Sequence, residues 1–370
     1  MKIPQFMPML GNEELESIKD CFDANWFTEG PKAKAFKEKL LELTGAKYGE
    51  FAPNGTLAIY LALKAAGVGP GDEVLVPNFT FIASANSVLM VGATPVFVDV
   101  DCNLQIDLDE CKKKINSNTA AIMPAHMYGT CGNMEAIAEF GLENDILVIE
   151  DAAQALGVYW NGKHAGTFGD VGTFSFFADK TITCGEGGFI VTNDEKIAEE
   201  LIYLRNQGRI NRGTFVHPAV GFNFRITDIH AAIGLVQFDK LGWIRDRKLE
   251  IYKKYKEKLG DQERFVFFEP MNESTFIPFR VCLVDKQLKS SEVIETLKDA
   301  GVEPRTFFYP LHKQPCFSDL AENYGYTDED FKMSNKMYDG GICLPTFLQI
   351  TDEEISYICD VIRKKYIDID

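Results

Sequence analysis

Residues 174–188, FSFFADKTITCGEGG, place one lysine, Lys180, between an apolar run and a glycine cluster that carries Glu186. A lysine amine can form a Schiff base with a carbonyl, although a lysine at a strand end is most often simply solvated. Upstream, PNGT at 53–56 reads as the start of a helix whose Gly55 and Thr56 N–H groups would seat a phosphate; Asn54 as a plain N-cap explains the segment equally well. VIEDAAQ at 148–154 ends an apolar run with Glu150 and Asp151 and adds Gln154 three residues later. An acid at a strand mouth either serves chemistry or caps the following turn. Ser175, five residues before Lys180, offers a hydroxyl to a phosphate. A phosphate seat, an acid, an aromatic and a lysine are together what pyridoxal phosphate requires. The amine links it, the carboxylate keeps the pyridine nitrogen protonated as an electron sink, the seat anchors the phosphate, and an aromatic ring stacks on it.

These residues need a scaffold that collects them at one edge. From residue 54 to about 193, helical patterns (GTLAIYLALKAAG, MEAIAEFGLEND) alternate with short apolar runs (DEVLVP, TPVFVDV, TAAIMPAHM, ILVIED, GGFIVTN). The runs are apolar throughout, which predicts an α/β unit with a mostly parallel sheet covered by helices on both faces. Such sheets bind ligands beyond the carboxyl ends of their strands. EELESIKDCF and PKAKAFKEKLLEL predict two helices ahead of the sheet, with Pro31 at a first helical position. TDIHAAIGLVQFDKL and the charged WIRDRKLEIYKKYKEKL predict two long helices after it. From about 264, the strand-like RFVFFEP and TFIPFRVCLV, the helix SSEVIETLKDAG and the terminal helix DEEISYICDVIRKKY predict a smaller α+β domain. The expected division is an N-terminal arm and helix at 1–30, a large cofactor-binding domain at 31–245, and a connector helix with the small domain at 246–370.

Composition narrows the partners. The formal charge of −17 repels phosphate-rich surfaces, so neither nucleic acid nor an anionic membrane is expected. No apolar run is long enough to span a bilayer, and MKIPQFMPML is too short and proline-broken for a signal peptide, which points to the cytoplasm. The nine cysteines never form a C-x-x-C pair and the five histidines lack metal-ligand spacing, so neither a disulfide framework nor a metal is expected.

The ordered motifs NGT, PNFTFIASANSVLMVGATPVFVDVD, HMYGT, IEDAAQALG, GTFGDVGTFSFFADKTITCGEGGFIVTND and GFNFRITDIHAAIG, with NWFTEGP near the start, resemble the DegT/DnrJ/EryC1/StrS family of sugar aminotransferases along nearly the whole chain. The resemblance implies the type I fold of pyridoxal phosphate enzymes and an amino transfer to a nucleotide-linked keto sugar, with glutamate as donor and pyridoxamine phosphate as the alternate cofactor form. It implies that Lys180 is the covalent anchor and the proton carrier. It further implies that Asp151 pairs with the pyridine nitrogen and Gln154 bonds the ring hydroxyl, a place where some relatives carry histidine. Gly55, Thr56 and Ser175 would hold the phosphate and Phe81 would stack on the ring. Asn223 would reach the phosphate of a partner subunit, which implies a homodimer with shared sites. One branch of the family carries histidine at the lysine position and removes a hydroxyl; the retained lysine implies amine transfer.

Residues 204–225 and 305–315 look like the corresponding segments of relatives that aminate C4 of GDP-4-keto-6-deoxy-mannose. Arg209, Arg212, Arg225 and Arg305 could contact a diphosphate, with surface ion pairing as the plain alternative for each. Tyr309 and His312 lie in a proline-stiffened aromatic loop suited to a sugar, and His312 fits a packed loop histidine equally well. The alternatives are a 4-amino or 3-amino transfer to UDP- or dTDP-4-keto-6-deoxy-glucose, and a regulatory protein that binds pyridoxal phosphate without turnover.

Overall fold

In the computed structural model, residues 1–209, 213, 215–260 and 263–367 are described. Nine strands precede residue 193: β1 (Tyr48–Ala52), β2 (Glu73–Pro77), β3 (Thr94–Val98), β4 (Thr119–Ile122), β5 (Leu147–Asp151), the short β6 (Tyr159–Trp160) and β7 (Lys163–His164), β8 (Val171–Ser175) and β9 (Gly188–Thr192). Seven of them form one sheet in the order β1-β9-β8-β5-β4-β2-β3, and β6 pairs with β7 in a separate hairpin. The pairs β2–β3, β2–β4, β4–β5 and β5–β8 are parallel, whereas β9 runs antiparallel to both β8 and β1. The sheet is therefore mostly parallel, with GGFIVTN as its one reversed strand.

The runs read as strands form this sheet because both its faces are covered. One apolar cluster holds Phe36, Phe51, Leu75, Val96, Ile122, Val148, Phe174 and Phe189; the other holds Leu61, Val74, Val76, Phe97, Ala121, Ile149 and Ile190. Val74 and Leu75, neighbours in β2, fall in different clusters, as the two-residue period of a strand requires. Full burial of each Val, Leu, Ile or Phe side chain among them stabilises the fold by about 1.5–3 kcal/mol relative to exposure. The helices that cover and flank the sheet are α1 (Asn12–Asp23), α2 (Pro31–Thr44), α3 (Gly55–Ala65), α4 (Ala83–Met90), α5 (Leu108–Lys114), α6 (Met134–Asn144), α7 (Glu195–Arg205) and α8 (Asp228–Asp239). Pro31 opens α2, and the Asp228 carboxylate accepts from the N–H groups of Gly30, Lys32 and Ala33. A residue from the start of α8 thus caps a helix that begins nearly two hundred positions earlier, and α1 packs on α8 as well.

The 19-residue helix α9 (Leu241–Leu259) leads to a second, four-stranded antiparallel sheet, β10 (Phe265–Phe267), β11 (Val281–Asp285), β12 (Arg305–Thr306) and β13 (Gly341–Leu344), in the order β10-β11-β13-β12. It packs with α10 (Ser290–Asp299), α12 (Lys332–Gly340) and α13 (Asp352–Tyr366), while Leu320 of α11 (Ser318–Tyr324) packs against the second cluster of the larger sheet. Ile3 of the N-terminal segment bridges to Val302 and joins the apolar cluster of this sheet. A further cluster, with Phe79, Tyr128, Phe268, Phe279 and Phe307, joins the two sheets beside the carboxyl ends of β2 and β4. No helix among the described residues is long and apolar enough to cross a membrane.

Candidate active site

A cavity of about 690 Å³ opens at the carboxyl ends of β1, β2, β4, β5 and β8. Its wall includes Gly55, Thr56, Phe81, Asp151, Gln154, Ser175 and Lys180, so seven residues singled out in the sequence meet in one space.

The first turn of α3 forms one end. The Asn54 side chain accepts from Leu57 N at 2.9 Å, which caps the helix and leaves the first N–H groups facing the cavity side. The two readings of Asn54 therefore describe one arrangement, a capped helix start beside a cavity. A Cβ on Gly55 would lie 2.8 Å from Ser175 Cβ, so only glycine lets the Ser175 hydroxyl approach the helix start. Backbone donors at a positive helix end beside a hydroxyl form a cradle with the chemistry of a phosphate site.

Asp151 ends β5 and is 6% exposed. Ser84 Oγ donates to its Oδ2 at 2.7 Å and Ala153 N donates to its Oδ1 at 3.2 Å, which fixes the carboxylate at the cavity wall. Gln154 Oε1 accepts from Tyr128 N at 2.8 Å, and Nε2 has no partner among the described residues. Tyr128 itself holds a positive φ of 53°, and a Cβ on the following Gly129 would meet the Ile277 carbonyl oxygen at 1.8 Å. HMYGT is thus a tight turn clamped between the two sheets. Phe81, in the loop between β2 and α4, is 52% exposed and meets Phe308 edge to face at 5.9 Å between centroids. An aromatic this exposed inside a concave site offers its surface to a ring.

Lys180 follows β8 on a turn closed by Lys180 N donating to Phe177 O at 3.0 Å. Its Nζ lies 4.7 Å from the centre of the Phe279 ring and 3.8 Å from Asp179 Oδ1. Burial holds the amine below its ordinary pKa; Asp179 and Asp151 pull it up and Arg280 pushes it down. A lysine so depressed spends more time as the neutral amine, the form that attacks a carbonyl. The helix-end cradle, exposed aromatic, fixed carboxylate, free amide donor and desolvated lysine fit pyridoxal phosphate.

The residues expected at a sugar nucleotide are scattered. Arg305 lines the cavity. Arg209 bonds Asn206, and Asn223 and Arg225, both exposed, bond one another at 2.9 Å; none of the three lies on the cavity wall. Arg212 lies outside the described residues. Tyr309 packs edge to face on Tyr338 at 5.1 Å, away from the cavity. His312 is 8% exposed, with Nδ1 at 2.9 Å from Asn78 Nδ2, Nε2 at 3.1 Å from Asp328 Oδ1, and its ring stacked on Phe331. Of its two readings, the geometry is that of the packed loop histidine. Sequence reasoning missed Ser84, Asp179, Phe279, Arg280 and Phe308. Asp179 adjoins the lysine in the motif itself, and Arg280 is the one charged residue in TFIPFRVCLV, a signal that was available.

Residues 8–363 match the model of the DegT/DnrJ/EryC1/StrS aminotransferase family. The chain is 36% identical over 378 residues to a protein of Escherichia coli O157:H7 named GDP-perosamine synthase, covering 99% of each. It is 37% identical over 357 residues to a protein of the same name from Caulobacter vibrioides, covering 95% of each. The crystal structure of the aminotransferase TlmJ from Streptoalloteichus hindustanus superposes with a TM-score of 0.91 at 28% identity over 98% of both chains. With that similarity running the length of the chain, and with this cavity, the protein belongs to the DegT/DnrJ/EryC1/StrS family and is a pyridoxal phosphate-dependent sugar aminotransferase.

Proposed function

We propose that this enzyme transfers the amino group of glutamate to C4 of GDP-4-keto-6-deoxy-mannose, giving GDP-perosamine. The observation that carries the reading is near full-length similarity, at 36% and 37% identity, to two proteins named for that product. Pyridoxal phosphate, when bound, supplies an electron sink for the carbon that loses or gains the proton. The chain supplies the rest. Lys180 anchors the cofactor and, once freed, carries the proton to and from the reacting carbon, helped by an amine that burial makes easier to deprotonate. Asp151, held by Ser84, would keep the ring nitrogen protonated. Gln154, on the cavity wall, would offer its amide donor to the ring hydroxyl, the first turn of α3 with Ser175 would hold the phosphate, and Phe81 would cover the ring.

Arg305, on the cavity wall at β12, is the basic residue we assign to the diphosphate. Asn223 and Arg225 are exposed and outside the cavity of their own chain, which suits a homodimer in which each reaches the partner's site. The test is a panel of GDP-, UDP- and dTDP-linked 4-keto-6-deoxy sugars with glutamate, the products weighed by mass spectrometry. The expected result is efficient amination of the GDP sugar; amination of only the UDP or dTDP sugar overturns the assignment of nucleotide. Formation of no product from any sugar, with glutamate never converting the cofactor to its amine form, would instead favour the binding-only protein.

A further inference from the structure

Asp179 precedes Lys180 on the same turn and lines the cavity with it. Its Oδ2 accepts from Arg280 Nη2 at 2.8 Å. Arg280 is itself fixed: its guanidinium lies 5.0 Å from the centre of the Phe279 ring, and with the Gln5 amide turned to satisfy both neighbours, Nη1 donates to Gln5 at 2.9 Å. Asp179 Oδ1 is different. It is buried and accepts no hydrogen bond among the described residues. A buried carboxylate oxygen without a donor is costly and rare enough to require a reason. Lys180 Nζ lies 3.8 Å from it, close enough for ion pairing and too far for a hydrogen bond.

Three further charged groups face this pair. Asp151 faces Lys180 from the end of β5, Arg280 faces both from the residue before β11, and Lys248 of α9 faces Asp179 and Arg280 from the far side, its Nζ at 3.4 Å from the Phe279 carbonyl oxygen. Burial, reinforced by Arg280, lowers Lys248 to about 8. His126, Glu186 and Arg305 line the same cavity. Asp179 thus faces three cationic side chains, Lys180, Arg280 and Lys248, with one oxygen committed to Arg280 and the other 3.8 Å from the lysine.

We propose that Asp179 is the positioning residue for Lys180: its unengaged oxygen receives the Lys180 ammonium whenever that amine is not bonded to the cofactor, and Arg280 holds the carboxylate so that the amine stays within reach of the reacting carbon. This rests on Lys180 being the cofactor-bearing lysine. An ammonium moved by about one ångström toward Oδ1 satisfies the orphaned oxygen. Released from it, the lysine returns to the cavity without leaving the Phe279 face.

The experiment measures the pH dependence of Lys180 acetylation by acetic anhydride, read by peptide mass spectrometry, in the full-length protein carrying pyridoxamine phosphate, the form in which the lysine is free. Asp179→Asn keeps an acceptor for Arg280 and removes the charge, so the midpoint for Lys180 falls by about one pH unit, the lower end of what a neighbouring opposite charge produces. Arg280→Gln removes a competing cation, so the midpoint rises. A merely structural role moves the two in no opposite sense. An unchanged midpoint in Asp179→Asn, or a fall in Arg280→Gln, overturns the proposal, and should one variant fail to fold the other decides. Reduction with borohydride separates the layers: a cofactor fixed on another lysine removes the underlying reading, whereas a cofactor fixed on Lys180 with unmoved midpoints removes only the role of Asp179.

Discussion

One part of the cavity wall comes from the seven-stranded sheet, where Gly55, Asp151, Ser175 and Lys180 each stand at or just past the carboxyl end of a strand. Another part comes from the four-stranded sheet and its flanks, where Arg280 precedes β11, Arg305 lies in β12 and Cys343 in β13. The first part carries the residues assigned to the cofactor, on strands buried on both faces, where a carboxylate such as Asp151 is fixed by neighbours. The second carries two arginines, Arg280 and Arg305, with Arg305 exposed. On the roles proposed above, the contrast places the cofactor contacts on the larger sheet, buried on both faces, and the diphosphate contact on the smaller one.

Asp151→Asn tests the first part and has the larger expected effect. The variant binds the cofactor, since the cradle at α3 is untouched, but kcat falls by roughly 100-fold or more because the ring nitrogen loses the charge that stabilises its proton. Steady-state kinetics alongside the absorbance of the bound cofactor check this, and unchanged kcat would detach Asp151 from that role. Arg305→Met tests the second part. The KM for the nucleotide sugar rises by roughly tenfold, as expected for one lost charge-assisted bond to a diphosphate, while kcat and the glutamate half-reaction stay close to the parent. A loss confined to kcat would erase the division of labour between the two parts.

The two parts also differ in how far the sequence discloses them. Much of the cofactor side is legible because Phe81, Asp151 and Gln154 each follow an apolar run, and Ser175 and Lys180 end or follow another, so each motif marks a strand mouth. The direction of β9 is not legible, since a strand apolar on both faces reads the same either way. Helix α4, ASANSVLM, lacks an apolar stripe, and β1, YGEFA, carries a glycine and an acid that mask it. On the small-sheet side the contacts are distant: His312 is engaged by Asn78, 234 positions away, and Arg280 by Asp179, 101 away. No local pattern encodes such pairs. The sequence leaves His312 with two equal readings because the partners of its ring nitrogens, Asn78 and Asp328, are set by the fold, and it gives Asp179 no distinct role because Arg280 meets it only across the fold.

The account turns on Lys180, and the most direct measurement is to reduce the cofactor-loaded protein with borohydride and locate the fixed cofactor by peptide mass spectrometry. The result expected is a single adduct on Lys180, absent from Lys180→Ala together with turnover. An adduct that persists in Lys180→Ala, or that maps to Lys248, would contradict it.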